Sequence, residues 1–247
     1  WVELTTMKNW EDFTNGVKKF GVPGQNIVYA DVDGNIGWRP AVYIPIRKKG
    51  FSMVPRPGWD PTYDWRGRVP FEEMPYLFNP DKGFISTANN KTIGDSFPYY
   101  ISGLWADPSR ASRINDLLST DKKMTLKDMK EIQLDLTSNF SKKILPHILD
   151  RGHIVTGDGA RRAIKFLKNW DHNESVDSEA TLIFHSIVNE IINNIYKDEL
   201  LLLGENYYKA YIGLKYITKR NLRSILENGY SSWVDNIITK EHVESIN

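Results

Sequence analysis

Cysteine is absent from the 247 residues. That excludes a disulfide framework, a thiolate metal site and a thiol nucleophile. It leaves the compartment open, because exported proteins can also lack the residue. Long hydrophobic runs are missing as well. A membrane-spanning helix needs about 20 consecutive apolar residues, and the longest stretches here, Leu182–Ile195 and Leu200–Leu203, are short or broken by polar side chains. Neither sign of charge dominates. The 32 basic and 31 acidic residues leave a net charge of +1, which argues against a general nucleic-acid surface, since that requires a basic excess. There is no Gly-x-Ser-x-Gly elbow, phosphate-binding loop or dinucleotide fingerprint. The five histidines, His147, His153, His172, His185 and His242, include no pair at metal-binding spacing, so the sequence makes no case for a zinc enzyme. His185, in an apolar stretch, is expected to be a hydrogen-bonded core histidine.

What is present suffices for a globular protein. Hydrophobic residues make up 40% and charged residues 26%, near the average for folded domains and enough to bury a sizeable core. The chain opens on Trp1-Val2-Glu3-Leu4, which reads as the middle of something. Its start is expected to be a processing site or a fragment boundary, so localisation is not readable.

The texture changes near residue 105. Residues 1–105 hold most of the prolines and glycines and the alternating patterns, while 106–247 read as helix after helix. An α+β class follows, with a strand- and loop-rich part before a helical region. Residues 7–20 carry Trp10, Phe13, Val17 and Phe20 at helical spacing. Asn26–Ile46 reads as a hairpin turning at Asp33-Gly34-Asn35, because glycine accepts the positive φ of such a turn. Val42–Ile46 would be a third strand, at an edge because of Pro45. Residues 50–82 form a long irregular aromatic segment, and Gly83–Ala88 a short strand ending at Asn89-Asn90. Helices are expected from Asp107-Pro108, with Ile114, Leu117 and Leu118 on its apolar face, and from Thr125, with Met129, Ile132 and Leu136 inward. More follow at 158–170, 178–200, 205–228 and 232–240, with Gly229 as a C-terminal cap and 178–200 apolar on most sides and central.

Four groups of residues carry candidate chemistry. Asp31-Val32-Asp33-Gly34-Asn35 superficially resembles a calcium loop, but Ile36 and Val42 stand where such a loop needs Gly and Glu, and turn chemistry explains every residue. The aromatic segment offers Trp59, Tyr63 and Trp65 as candidate substrate-binding rings, with packing as the commoner role for aromatics. Asn89-Asn90 at a strand end presents side-chain amides that could donate to an oxyanion or simply shape a turn. Arg110 and Arg113 share one face of a helix first turn, where an arginine could orient a carboxylate or amide, or form a surface ion pair.

The order of these blocks is similar to that of the penicillin acylase family of N-terminal-nucleophile hydrolases. Asn26–Gly37 resembles its hairpin, Gly83–Asn90 a following strand, Ser109–Leu118 the next helix and Met129–Asp135 the helix after that. The resemblance covers roughly residues 1–200 and implies an interior fragment of the catalytic β subunit. It implies an αββα sandwich decorated with helices, and a precursor that cuts itself to expose a serine. The α-amino group of that serine serves as base for its own hydroxyl, and linear amides are hydrolysed through an acyl-enzyme. Residue by residue, Asn89 matches the oxyanion-hole asparagine and Arg110 the active-site arginine. The nucleophilic serine belongs to a segment before Trp1, so the chain alone is expected to be inactive. Its implied partners are the α subunit, the remaining β-subunit segments and a small amide substrate, with no nucleic acid and no membrane span. No cofactor is implied. Some family members hold a structural calcium partly through an aspartate before the Arg110 block, where this chain reads Phe97-Pro98-Tyr99-Tyr100 with Asp95 nearby, and that metal is left open. Two other readings stand beside this one. One is a non-catalytic module gripping a sugar or peptide with its aromatic loop. The other is a glycosidase using acids from Asp31, Asp33, Asp60 and Asp64.

Overall fold

The computed structural model describes residues 1–49 and 53–234. The chain divides into two compact units, Trp1–Leu104 and the residues from Trp105 onward, and its class is α+β, with eight helices and two small antiparallel sheets among the described residues.

In the first unit, helix α1 (Trp10–Lys18) begins later than its apolar spacing suggests, because Asn9 caps it by accepting the Asp12 N–H at 2.9 Å. Strands β1 (Gln25–Ala30) and β2 (Ile36–Ala41) pair from Gln25↔Ala41 to Ala30↔Ile36. The turn between them is organised by Asp31. Its carboxylate accepts the Asp33 and Asn35 backbone N–H groups at 3.1 and 2.8 Å, and Gly34 takes φ +89°. Helix α1 lies against this hairpin with Phe13 and Val17 buried beside Ala41. Gly37 is required there: a β-carbon would run into the Trp10 ring. That ring also packs on Phe13, Tyr29 and Phe78, at centroid distances of 4.7–5.5 Å.

The predicted third strand, Val42–Ile46, is shifted and joins a different sheet. Strand β3 (Pro45–Arg47) pairs with β4 (Trp65–Arg68), and Pro45 is tolerated because this ribbon has only two strands. The segment 50–82 is therefore less irregular than expected. Besides β4 it holds β5 (Leu77–Phe78), which completes the order β1-β2-β5. Asn79, at φ +45°, prolongs that edge by accepting the Ile36 N–H and donating to the Asn35 side chain. Residues 83–88, predicted as a strand, form none. Their β-prone side chains favour extension, but a strand needs a ladder partner for its backbone groups, and none of the described strands pairs with them.

The second unit contains α2 (Ser109–Leu118), α3 (Leu126–Gln133), α4 (Asn139–Asp150), α5 (Asp158–Lys168), α6 (Glu179–Leu203), α7 (Glu205–Gly213) and α8 (Lys215–Asn228). Helix α3 starts on a full capping box between Thr125 and Asp128. Helix α4 stands where no helix was expected, and Pro146 lies inside it. Losing one helical hydrogen bond to proline costs about 3 kcal/mol. Burial of Phe140, Ile144 and Leu145, worth roughly 1.5–3 kcal/mol each, outweighs it. Helix α6 is central, as predicted, and turns a broad face to the core, with Ile183, Ile187 and Ile191 partly buried beside its fully buried row. Phe184, Val188, Ile192 and Tyr196 are buried with Leu167, Trp170, Leu222 and Ile225, while Leu182 is exposed. The expected single helix 205–228 is two, separated at Leu214 with φ −80° and ψ 57°; apolar spacing continues across the break and hides it. Gly229 caps α8 in the left-handed region at φ +69°. Met129 and Leu136, expected inward, are exposed. The predicted helix 232–240 lies mostly outside the described residues.

Candidate active site

Asn89 and Asn90 sit in a turn after the extended run that follows Gly83. Strand alternation cannot separate their side chains there; backbone geometry does. Asn89 takes φ +59°, a left-handed conformation that asparagine tolerates better than other side-chain-bearing residues, and it is exposed. Asn90 is committed locally. Its Oδ1 accepts the Ala88 N–H at 3.0 Å and its Nδ2 donates to the Lys91 carbonyl at 3.0 Å. The amide of Asn90 thus holds the turn, and the turn presents Asn89 at the surface of its unit.

Arg110 and Arg113 lie in the first turns of α2. The start of that helix is set by Asp107, whose Oδ1 accepts the Ser109 N–H at 2.9 Å. Arg110 is exposed and its guanidinium lies 5.9 Å from the centroid of the Tyr216 ring. Arg113 has the alternative role foreseen for an arginine on this face. It forms a two-pronged ion pair with Asp135, at 2.7 and 2.6 Å, and reaches Thr137 at 3.3 Å. Both side chains are mostly covered, at 25% and 18% exposure. Twenty-two residues separate the partners, so helical spacing could place Arg113 on a face but could not name what it meets.

The fork has a measurable consequence. Removing one member of a covered, charge-assisted pair costs about 1–3 kcal/mol, so Arg113→Ala is expected to lower the thermal midpoint clearly. The hydrogen bond from Arg113 also holds the Asp135 carboxyl below the usual aspartate range. A carboxyl with a lowered folded-state pKa stabilises the fold above its unfolded value of about 4 and loses that contribution as pH falls through the folded value. Acid titration of stability should therefore flatten below about pH 4 in the Arg113→Ala variant. An unchanged midpoint and an unchanged acid profile would show that the fork contributes nothing.

The aromatic candidates are not drawn into one pocket. Trp59 is 88% exposed and Trp65 62%. Tyr63 is half-buried, with Lys49 and Arg56 at 5.7 and 5.4 Å from its ring. Phe71 and Phe78 do pack, against the α1 cluster and Trp10, so the packing role holds for those rings and not for the two tryptophans.

The glycosidase alternative meets an electrostatic obstacle. Its general acid needs a raised pKa, whereas Asp31 is held below the usual range by hydrogen bonds from Tyr29 and Asn35. Asp60 is likewise held down by the Thr62 N–H it caps. The Tyr29 phenol is pushed up to about 12 by its bond to Asp31, which binds the turn together rather than freeing an acid. Near Tyr100 the side chains are engaged with one another. Asp95 is exposed and bonded to Lys91, and the Tyr99 hydroxyl bonds Glu73. Among the described residues, no three histidines or acids are grouped to hold a metal ion.

Two arrangements had no sequence signal. Arg39 is buried in β2 between Phe71 and Tyr76, at 4.4 and 4.5 Å from their ring centroids, where strand alternation gives no warning of a covered guanidinium. Ser141 Oγ meets His172 Nδ1 at 2.9 Å, but Ser141 is fully buried, so this pair fastens the start of α4 instead of facing a substrate. His185 is hydrogen-bonded as expected, to Glu174 at 3.1 Å.

The fold has a counterpart among solved structures. A thermostable penicillin G acylase from Alcaligenes faecalis superposes with a TM-score of 0.65 over 85% of this chain and 38% of that one, at 21% identity. The sequence carries the likeness further: the family described as Penicillin amidase matches residues 1–246, and the chain belongs to that family. Similar curated proteins include an acyl-homoserine lactone acylase QuiP of Pseudomonas fluorescens, 28% identical over 85% of this chain and 27% of its own length. A penicillin acylase 2 proenzyme of Pseudomonas sp. SE83 is 34% identical over 54% of this chain and 17% of its own. The penicillin G acylase of Escherichia coli is 29% identical over 69% and 21%. The chain thus spans about a quarter of the length of the first of these relatives.

Proposed function

We propose that these residues form part of the catalytic β subunit of an amide hydrolase whose serine nucleophile lies outside the 247 residues. In this reading the serine hydroxyl adds to the carbonyl of a linear amide while its own α-amino group takes the proton. Asn89 donates its side-chain N–H to the oxygen on which negative charge appears, and Arg110 orients the substrate or the nucleophile segment. The C–N bond then breaks, the amine leaves with the proton, and water releases the acyl group from the serine. No step needs a metal. The remainder of the same precursor, including an α subunit, completes the site. The names of the relatives point to acylated amines as the substrate class, from penicillins to acyl-homoserine lactones.

The observation that carries this reading is the family match over residues 1–246, with Asn89 held in a left-handed turn by a neighbour whose own amide is occupied. A first test is simple. The purified 247-residue chain is expected to leave phenylacetyl and longer acyl anilides intact, while a polypeptide that includes the missing segments hydrolyses them. Turnover by the isolated chain well above background would mean that the nucleophile has been misplaced.

A further inference from the structure

The first unit carries a concentration of positive charge that the catalytic reading does not use. Between Tyr43 and Arg68 stand six cations, Arg47, Lys48, Lys49, Arg56, Arg66 and Arg68, against only Asp60 and Asp64. This stretch is net +4, although the whole chain is only +1. None of the six reaches ion-pair distance of a carboxylate among the described residues. Four of them lie instead against aromatic faces. Arg68 sits 4.2 Å from the Tyr43 centroid, Arg56 and Lys49 5.4 and 5.7 Å from Tyr63, and Arg47 6.0 Å from Trp65, its partner across the β3–β4 ribbon. Trp59 and Trp65 remain largely in solvent, and every residue of β4 is exposed.

We infer that this ribbon binds the surface of an anionic phospholipid membrane. Three features favour that partner. Cations with no carboxylate at ion-pair distance (of the six, Lys48 donates to the Pro61 carbonyl at 3.1 Å) attract anionic headgroups, at about fivefold in affinity per charge near the surface. Indole rings with one polar edge settle at the headgroup level. And β4 is exposed on both faces, which a fluid headgroup layer can surround and a rigid flat partner cannot. A single-stranded nucleic acid would stack its bases on a run of open ring faces; here Tyr63 and Tyr43 carry cations on theirs, which leaves only Trp59 and Trp65, and a nucleic acid is the competing outcome of the test. The contact is peripheral: no described helix is long and apolar enough to cross a membrane.

The test is co-sedimentation of the 247-residue chain with vesicles of phosphatidylcholine alone or mixed with phosphatidylglycerol, over a range of salt. Binding is expected only to the mixed vesicles. It should fall as salt rises and shift tryptophan fluorescence to shorter wavelength. The triple variant Lys49→Gln, Arg56→Gln, Arg66→Gln should bind about 100-fold more weakly. Lys123→Gln, Lys130→Gln, Lys168→Gln, which removes the same charge from exposed positions on the other unit, should bind as before. Trp59→Ser should lose the fluorescence shift in part and keep the salt dependence. Thermal unfolding of each variant checks that the fold persists. Absence of binding by folded protein, equal loss in both triple variants, or preference for a single-stranded oligonucleotide over the mixed vesicles would overturn the proposal. So would failure of a longer polypeptide carrying this chain to bind, because the ribbon would then be covered from within.

Discussion

Asn89→Ala, made in a polypeptide that contains the whole enzyme, is expected to lower kcat by roughly 10²–10³-fold with a modest change in KM. The donor is aimed at charge that develops only in the transition state, so ground-state binding depends on it little. The left-handed backbone of Asn89 supplies a sharper control than alanine alone. Asn89→Gly suits φ +59° better than any other substitution and removes the amide, so a residue that merely shapes the turn would be replaced by glycine without loss. The catalytic reading predicts that glycine is as damaging to kcat as alanine. Asn90→Ala should act differently: it removes the acceptor for the Ala88 N–H, loosening the turn and lowering stability while leaving most activity in the folded enzyme. Precursor cleavage must be scored before the kinetics, since an uncut chain would mimic a dead enzyme. Near-normal kcat in Asn89→Gly would remove Asn89 from the mechanism.

Arg110→Ala should be the second large effect, with kcat/KM reduced by about 10²-fold or more and little change in thermal midpoint. Arg110 is exposed, with the Tyr216 ring as a neighbour, and surface contacts of that kind contribute about 0.5–1 kcal/mol. Arg110→Lys should recover only part of the activity, because a point charge does not reproduce a planar fork. Arg113→Ala should show the converse pattern, a lower midpoint with kcat of the folded enzyme largely kept, since its guanidinium is spent on Asp135. Measured side by side, the two variants separate a group that acts on substrate from one that fastens α2 to the segment between α3 and α4. The reverse ranking in kcat would contradict the assignment.

These residues were unequally legible in the sequence. The hairpin was readable because Asp31 and Gly34 carry turn chemistry that acts over five residues, and the structure uses it as written. Caps were readable for the same reason, at Thr125 and Gly229. Strand β4 was not. Trp65-Arg66-Gly67-Arg68 lacks apolar alternation because neither of its faces is buried. Residues 83–88 failed in the opposite sense, since propensity favours extension there but pairing depends on a partner elsewhere in the chain. Met129 has helical apolar spacing yet faces solvent, a property of what surrounds a helix rather than of its own pattern, and Leu136, also exposed, lies beyond the end of α3 at Gln133. At the candidate site the asparagine pair could be located from sequence, and the resemblance singles out Asn89, but how the two residues are held could not be read. That rests on the φ of one residue and the hydrogen bonds of the next, which no spacing encodes.

The central claim is that the nucleophile is an N-terminal serine outside these residues, served by Asn89. It is tested most directly by inactivating the complete enzyme with phenylmethylsulfonyl fluoride and mapping the adduct by peptide mass spectrometry. The account predicts one sulfonyl group on the N-terminal serine of a peptide outside residues 1–247, formed in step with loss of acyl-anilide hydrolysis. An adduct on a serine within residues 1–247 that accounts for the inactivation, or full activity after the N-terminal serine has been labelled, would contradict it.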